Sequence, residues 1–306
     1  MTAPNSDPST TLDRAITPGP LVADPTVSTQ WLADHLGSDG LVVLDASVLQ
    51  VEGFGGKPAY VTGHEQYLVH GHIPGAVFAD ILEVFSDPAG KHGFTRPSAE
   101  LFEAAADAVG VDNNTAVVVY DTSVGHWASR IWWLFRSFGY DNVAVLDGGL
   151  KKWTAEGRST ERGHVEPRVA GGFVARERDE SWVDKEQVQA IVSGEVDGVL
   201  VCGVPPREFT GEVNHRARAG HIPGSVSAPA GRLVDRETNA FLRPDALRSV
   251  FGDGIGGRVV TYCGGGIAAA ADALALALLG HDDVSIYDGS LNEWSSDPSA
   301  PLEIAV

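Results

Sequence analysis

The feature that most constrains the fold of this chain is an internal repeat. "GHIPGAVFAD" begins at Gly71 and "GHIPGSVSAP" at Gly220, an offset of 149 residues (220 minus 71), and the first five residues of the two copies are identical. "FTRP" at 94–97 is answered by "FLRP" at 241–244, and "VAVLDGGLKKW" from Val143 by "VSIYDGSLNEW" from Val284, in the same order and at offsets of 147 (241 minus 94) and 141 (284 minus 143). A period this long is not that of a solenoid; it indicates two copies of one domain in tandem. A chain of 306 residues has room for two such units, each of ordinary size.

Within each copy, short apolar runs alternate with helical patterns. "LVVLDAS" (41–47), "AVVVYD" (116–121) and "VAVLDGG" (143–149) read as buried strands of a mostly parallel sheet, and so do "GVLVCG", "RVVTYC" and "VSIYDGS" in the second copy. "SAELFEAAADAVG" has a capping Ser, apolar residues at helical spacing and a Gly stop; "ASRIWWLFRSFG", "PDALRSVFG" and "IAAAADALALALLG" are further helix candidates. The expected fold is therefore α/β, a tandem pair of mostly parallel sheets flanked by helices. The expected division is a disordered lead-in over 1–25, a first domain over 26–160, a polar linker over 161–180 and a second domain over 181–300.

Composition narrows the partners. Lys and Arg number 22 against 41 Asp and Glu, a formal charge of −19, which disfavours nucleic acid and anionic membranes as general partners but leaves room for a local basic pocket for a small anion. The first twenty residues contain no apolar core of a signal peptide, and the most apolar stretch, Ile267 to Leu279, is short and contains Asp272, so no membrane span is expected. Two cysteines make no disulfide framework and suit a reducing compartment, read here as the cytoplasm.

One of those cysteines stands in a distinctive setting. Aligning "VVVYD" (117–121) with "VVTYC" (259–263) sets Asp121 opposite Cys263, both just past the end of a strand, where ligands bind in open α/β sheets. Only the second copy has both a thiol and a glycine loop, at 264, 265 and 266. Without side chains there, successive N–H groups can converge on one anion. The helix starting near Ile267 adds unpaired first-turn N–H groups and its positive dipole end, which favour thiolate over thiol. Cys263 is thus the candidate nucleophile, activated mainly by backbone because the loop holds no Lys or Arg. The competing reading makes it a small buried hydrophobe at a strand end.

Other chemistries fit less well. A cysteine phosphatase needs an Arg five residues after its Cys to clamp the phosphate, and Ala268 and Ala269 occupy that region. The ten histidines show no ligand spacing, so no metal is expected. His72 and His221, each in a "GHIPG", read as repeated structural elements or as residues lining a cleft. Cys202 ends "GVLVCG" without a glycine cradle and reads as a core thiol.

The tandem α/β units, "GHIPG" in each, "LDGG" and "YDGS" before a Trp, and a single cysteine loop in the second copy resemble the two-domain rhodanese family, the thiosulfate and 3-mercaptopyruvate sulfurtransferases, from about Val27 to Pro298. The resemblance implies two rhodanese-like domains, an inactive first copy and a catalytic second one. It also implies a persulfide on Cys263 held by the N–H groups of Gly264, Gly265, Gly266, Ile267 and Ala268. Sulfane sulfur would pass from a small anionic donor, thiosulfate or 3-mercaptopyruvate, to a thiophile such as cyanide or a thiol, with no cofactor. The alternative is a catalytically idle scaffold that senses sulfur or binds a protein.

This chain departs from the family at three places. Its loop reads Gly-Gly-Gly-Ile-Ala, neither the basic loop usual with thiosulfate nor the Gly-Ser-Gly-Val-Thr usual with mercaptopyruvate. Cys202, Gly203 and Val204 stand where the family tends to carry Asp-Ala-Arg, and Glu208 where it carries a substrate-binding arginine. Arg207, Arg216 and Arg218 are the candidates to replace that charge, and His72 is a further substrate-binding candidate.

Overall fold

The computed structural model describes residues 20–53, 55, 58–252 and 254–304; residues 1–19 of the expected lead-in lie outside them. The first unit runs β1 (Thr26–Val27), α1 (Thr29–His35), β2 (Leu41–Asp45), β3 (Val48–Glu52), β4 (Pro58–Thr62), α2 (His64–His70), β5 (Val77–Phe78), α3 (Ala99–Ala108), β6 (Ala116–Tyr120), α4 (His126–Ser137), β7 (Val143–Leu146) and α5 (Gly149–Ala155). The second runs β8 (Trp182–Val183), α6 (Lys185–Val192), β9 (Val199–Cys202), α7 (Pro206–Phe209), β10 (Val226–Ser227), α8 (Pro244–Phe251), β11 (Val259–Tyr262), α9 (Ile267–Leu278), β12 (Val284–Tyr287) and α10 (Ser290–Trp294). The sheets are ordered β1-β7-β6-β2-β5 and β8-β12-β11-β9-β10. Every pairing within them is parallel, so the repeat in sequence is a repeat in topology.

Local sequence explains the elements. All five residues of β6 are buried, as expected of a central parallel strand covered on both faces. Ser98 caps α3 by accepting from Leu101 N–H, and Asp184 with Gln187 forms a capping box on α6. The "GHIPG" motif is an anchor in both copies. The Ile73 N–H donates to Tyr120 Oη at 3.1 Å and the Ile222 N–H to Tyr262 Oη at 3.0 Å, tying the motif to the last residue of the central strand. Its histidine ring stacks on Tyr67 in the first copy (3.8 Å) and on Phe209 in the second (3.6 Å).

The two units share one core. α4 packs against α9, and the small side chains of "AAAADALALAL" let the two helices lie close. Arg130 of α4 crosses the boundary. Its Nη2 donates to Asp288 Oδ1 at 2.6 Å and to the Phe94 carbonyl at 2.8 Å, and its guanidinium lies 4.8 Å from the Trp182 ring centroid. The segment at 161–180, aperiodic in sequence, is strapped along the first unit by tertiary bonds. Arg168 pairs with Asp112, the Phe173 N–H donates to Asp107, and the Arg176 N–H donates to the Phe138 carbonyl. Among the described residues no helix is long and apolar enough to cross a membrane.

Candidate active site

Cys263 follows β11 at the carboxyl end of the second sheet and is 3% exposed. The chain then passes through Gly264 and Gly265 to Gly266, which caps α9 with φ of +81°, a left-handed conformation open to glycine. The loop is held from the side by Ser290. Its Oγ accepts from both the Cys263 and the Gly266 N–H at 3.1 Å and donates to the Tyr287 carbonyl at 2.8 Å. The neighbouring backbone continues the clamp, with Leu291 N–H donating to the Cys263 carbonyl and Asn292 N–H to the Gly264 carbonyl. Ser290 is fully buried and has φ of +49°, so a non-glycine residue is kept in a strained conformation where its hydroxyl serves the loop.

The first copy shows what such a loop holds. Asp121, opposite Cys263, turns its carboxylate into the start of α4. Oδ1 accepts from Ser123 and Gly125 N–H at 2.8 and 3.0 Å, and Oδ2 from Trp127 and Ala128 N–H at 3.0 Å each. At the offset of the "DGG" and "DGS" motifs, Gly125, Trp127 and Ala128 match Gly266, Ala268 and Ala269. The residue matching Ser290 is Gly149, which has no hydroxyl, and a Cβ there would lie 2.6 Å from the Asp121 carbonyl. In the second copy, then, Ser290 takes the Gly266 N–H. The N–H groups of Ala268 and Ala269, at the positive end of α9, are the counterparts of those that bind the Asp121 carboxylate.

A cleft of about 480 Å³ opens onto Cys263 between the two units. From the first unit come Tyr60, Phe94 and Trp127, whose rings meet edge to face at centroid distances of 5.4–5.6 Å. Phe94 has φ of +66°, a strained conformation anchored by the Arg130 bond to its carbonyl. Burial holds the Tyr60 hydroxyl protonated above its ordinary range, reinforced by negative charge at Cys263 and Glu208. From the second unit, Arg216 reaches the loop; a Cβ on Gly264 would sit 2.6 Å from its Nη2. Its Nη1 donates to Glu208 Oε2 at 2.8 Å, both side chains being largely buried, and its Nε has no partner among the described residues.

The candidates named from sequence separate in space. Cys263, Gly264, Gly265, Ile267, Ala268 and Arg216 line the cleft, while the Gly266 N–H is turned to Ser290. Arg207 is exposed and pairs with Glu212; Arg218 donates to the carbonyls of Trp294, Ser295 and Asp297. His72 is buried beneath Tyr67, away from the cleft. Cys202 is fully buried, and burial pushes its thiol up to about 12. Ser290, the aromatic wall and His126, which lines the cleft at the start of α4, went unread in the sequence. Ser290 had a signal, the single change from "DGG" to "DGS" between the copies; the aromatic wall has none, because packing assembles it from distant stretches.

Comparisons with known proteins agree with this architecture. The family of rhodanese-like domains matches residues 28–156 and 201–297. The 3-mercaptopyruvate sulfurtransferase of Escherichia coli is 33% identical, covering 90% of this chain and 97% of that protein. The thiosulfate sulfurtransferase of Cricetulus griseus is 32% identical over 88% of this chain and 91% of its own length. The crystal structure of the Escherichia coli 3-mercaptopyruvate enzyme superposes with a TM-score of 0.77 at 31% identity, covering 88% of this chain and 99% of that one.

Proposed function

The chain belongs to the rhodanese family, and from that premise we propose that it is a sulfurtransferase carrying sulfane sulfur on Cys263, from thiosulfate or 3-mercaptopyruvate to a thiophilic acceptor. The observation that carries the assignment to Cys263 is the Asp121 carboxylate in the matched loop. One scaffold position, at one helix start, binds an anion in the first copy and presents sulfur in the second. In the first half-reaction the Cys263 thiolate attacks the outer sulfur of the donor. The bond from that sulfur to the rest of the donor breaks and its electrons go to the leaving group, sulfite, or the enolate of pyruvate, which takes up the proton given up by the donor thiol, and Cys263 becomes a persulfide. The N–H groups of Gly264, Gly265, Ile267, Ala268 and Ala269 and the dipole of α9 stabilise the anionic sulfur. Arg216 faces the donor, with Glu208 offsetting its charge. In the second half-reaction the acceptor attacks the outer sulfur and Cys263 departs as thiolate.

An idle scaffold is the weaker reading. Idle use is satisfied by a filled cradle such as that of Asp121, whereas the cleft beside Cys263 is open between the units. Both cysteines are free thiols, which suits the reducing cytoplasm we propose as the setting. Intact mass after incubation with thiosulfate or with 3-mercaptopyruvate tests the function and ranks the donors. The expected result is a gain of one sulfur that cyanide removes and that Cys263→Ser abolishes. Sulfur loading that survives in Cys263→Ser would overturn the assignment.

A further inference from the structure

A second cavity, of about 420 Å³, adjoins the Cys263 cleft and shares four wall residues with it: His126, Gly203, Pro205 and Ala268. Beyond that junction its floor is apolar, made by Pro206, Pro229 and Ala230, and its rim carries Arg232 and Arg236. Both arginines are exposed, and neither has an acidic side chain within ion-pair distance among the described residues. The nearby Asp235 is engaged in its own turn, accepting from the N–H groups of Glu237 and Thr238 and from the Thr238 hydroxyl. Lys151 of the first unit braces this turn, donating to the Arg236 carbonyl at 2.7 Å, and its charge is offset by Asp235. In a chain of net charge −19, two arginines without an ion-pair partner among the described residues, at the mouth of a cavity that adjoins the Cys263 cleft, are charges that a small carboxylate would meet.

We propose that this cavity is the acceptor site, and that it takes a small thiol bearing carboxylates, whose apolar body lies on the proline floor, whose carboxylates meet Arg232 and Arg236, and whose sulfur reaches Cys263 past His126 and Ala268. The proposal rests on the sulfur-transfer reading above. The acceptor enters as thiolate, having left its proton to solvent, and its sulfur attacks the outer sulfur of the Cys263 persulfide. The bond between the two persulfide sulfurs breaks, Cys263 departs as thiolate with that electron pair, and the acceptor leaves as a persulfide. The acceptor sulfur is oxidised as the Cys263 sulfur is reduced, so no outside redox partner enters. Donor and acceptor thus approach Cys263 from two sides of one junction.

Glutathione, a tripeptide thiol with two carboxylates, is the probe, against cyanide and 2-mercaptoethanol as acceptors without carboxylates. Arg232→Glu with Arg236→Glu is expected to raise KM for glutathione about tenfold, the scale of two exposed charge pairs lost and reversed. The kinetics with thiosulfate, cyanide and 2-mercaptoethanol should stay within about twofold. Arg232→Gln with Arg236→Gln is expected to give an intermediate rise, which guards against a folding defect in the reversed variant. In the unaltered protein, added salt should raise KM for glutathione and leave that for 2-mercaptoethanol in place, because exposed pairs are screened. A glutathione KM indifferent to both double variants, with cyanide still accepting sulfur, overturns the acceptor site alone. Failure of the unaltered protein to pass sulfur to any acceptor overturns the sulfur-transfer reading beneath it.

Discussion

Ser290 separates the cost of a conformation from the service of a hydroxyl. Its φ of +49° places it in the left-handed region, which costs a non-glycine residue about 1–2 kcal/mol. Its Oγ satisfies two N–H groups, those of Cys263 and Gly266, at the base of the reactive loop. Ser290→Ala keeps the strain and leaves both donors without a partner, at about 1–3 kcal/mol for each orphaned buried group, so a loss of about 2–6 kcal/mol is expected. Ser290→Gly loses the same acceptor but regains the strain, and should be about 1 kcal/mol more stable than the Ala variant. Urea unfolding measures both. Activity should follow the hydroxyl rather than the stability. Single-turnover persulfide formation is expected to fall by about tenfold or more in both variants, because the loop no longer holds Cys263 in its attacking geometry. A Gly variant that forms persulfide at the full rate, or an Ala variant at least as stable as the Gly one, would refute the reasoning.

Two further predictions follow from buried groups. Neither carboxyl oxygen of Asp272 has a hydrogen-bond partner among the described residues, and burial holds its carboxyl well above the usual carboxylate range. The folded chain therefore grips this proton more tightly than the unfolded chain, and stability falls as pH rises above the ordinary value of 3.8. Asp272→Asn removes the titration; in urea unfolding its advantage should be largest near pH 8 and shrink toward pH 4, and a gap independent of pH would sink the idea. Cys202, with its thiol pushed up to about 12, should resist iodoacetamide at pH 8. Peptide mapping should find one modified cysteine per native chain, at Cys263, and two after unfolding in urea; labelling of Cys202 first in the native protein would contradict its burial.

Most of the fold was legible because the repeat is carried by residues with fixed structural duties. The "GHIPG" motif reads clearly because its Ile N–H and its histidine are both committed to the central strand and the preceding helix, and the buried valines of β6 leave no competing period. The β3–β4 hairpin was not anticipated, since Val51 and Val61 on its outer face are exposed while Gln50 and Tyr60 on the other face turn to the cleft, so its apolar residues mark no single buried face. The reactive loop was legible as a local pattern of strand, Cys, three Gly and helix. The positive charge beside it was not, because Arg216 lies 47 residues earlier (263 minus 216) and only tertiary packing brings it to Gly264. Of the four candidates named to bind substrate, charge type alone had no means of separating Arg216 from Arg207 or Arg218, whose partners are Glu212 and a row of carbonyls.

The two copies solve one physical problem in two ways. A helix that starts directly after a buried strand end presents first-turn N–H groups to the interior, and buried donors without acceptors are costly. Asp121 meets two of them, those of Trp127 and Ala128, together with the loop N–H groups of Ser123 and Gly125, with a single carboxylate that fills the place a ligand would take. The second copy replaces that carboxylate with a thiol too short and too weak an acceptor to do the same. Ser290 therefore takes over the Gly266 N–H that a carboxylate takes in the first copy, and Gly149 becomes a residue with a side chain. The donors left over are the ones the proposed anionic sulfur on Cys263 would use. On this account the change from "LDGG" to "YDGS" and the change from Asp121 to Cys263 are one adaptation, in which freeing the helix start for chemistry required a new hydroxyl to hold the loop.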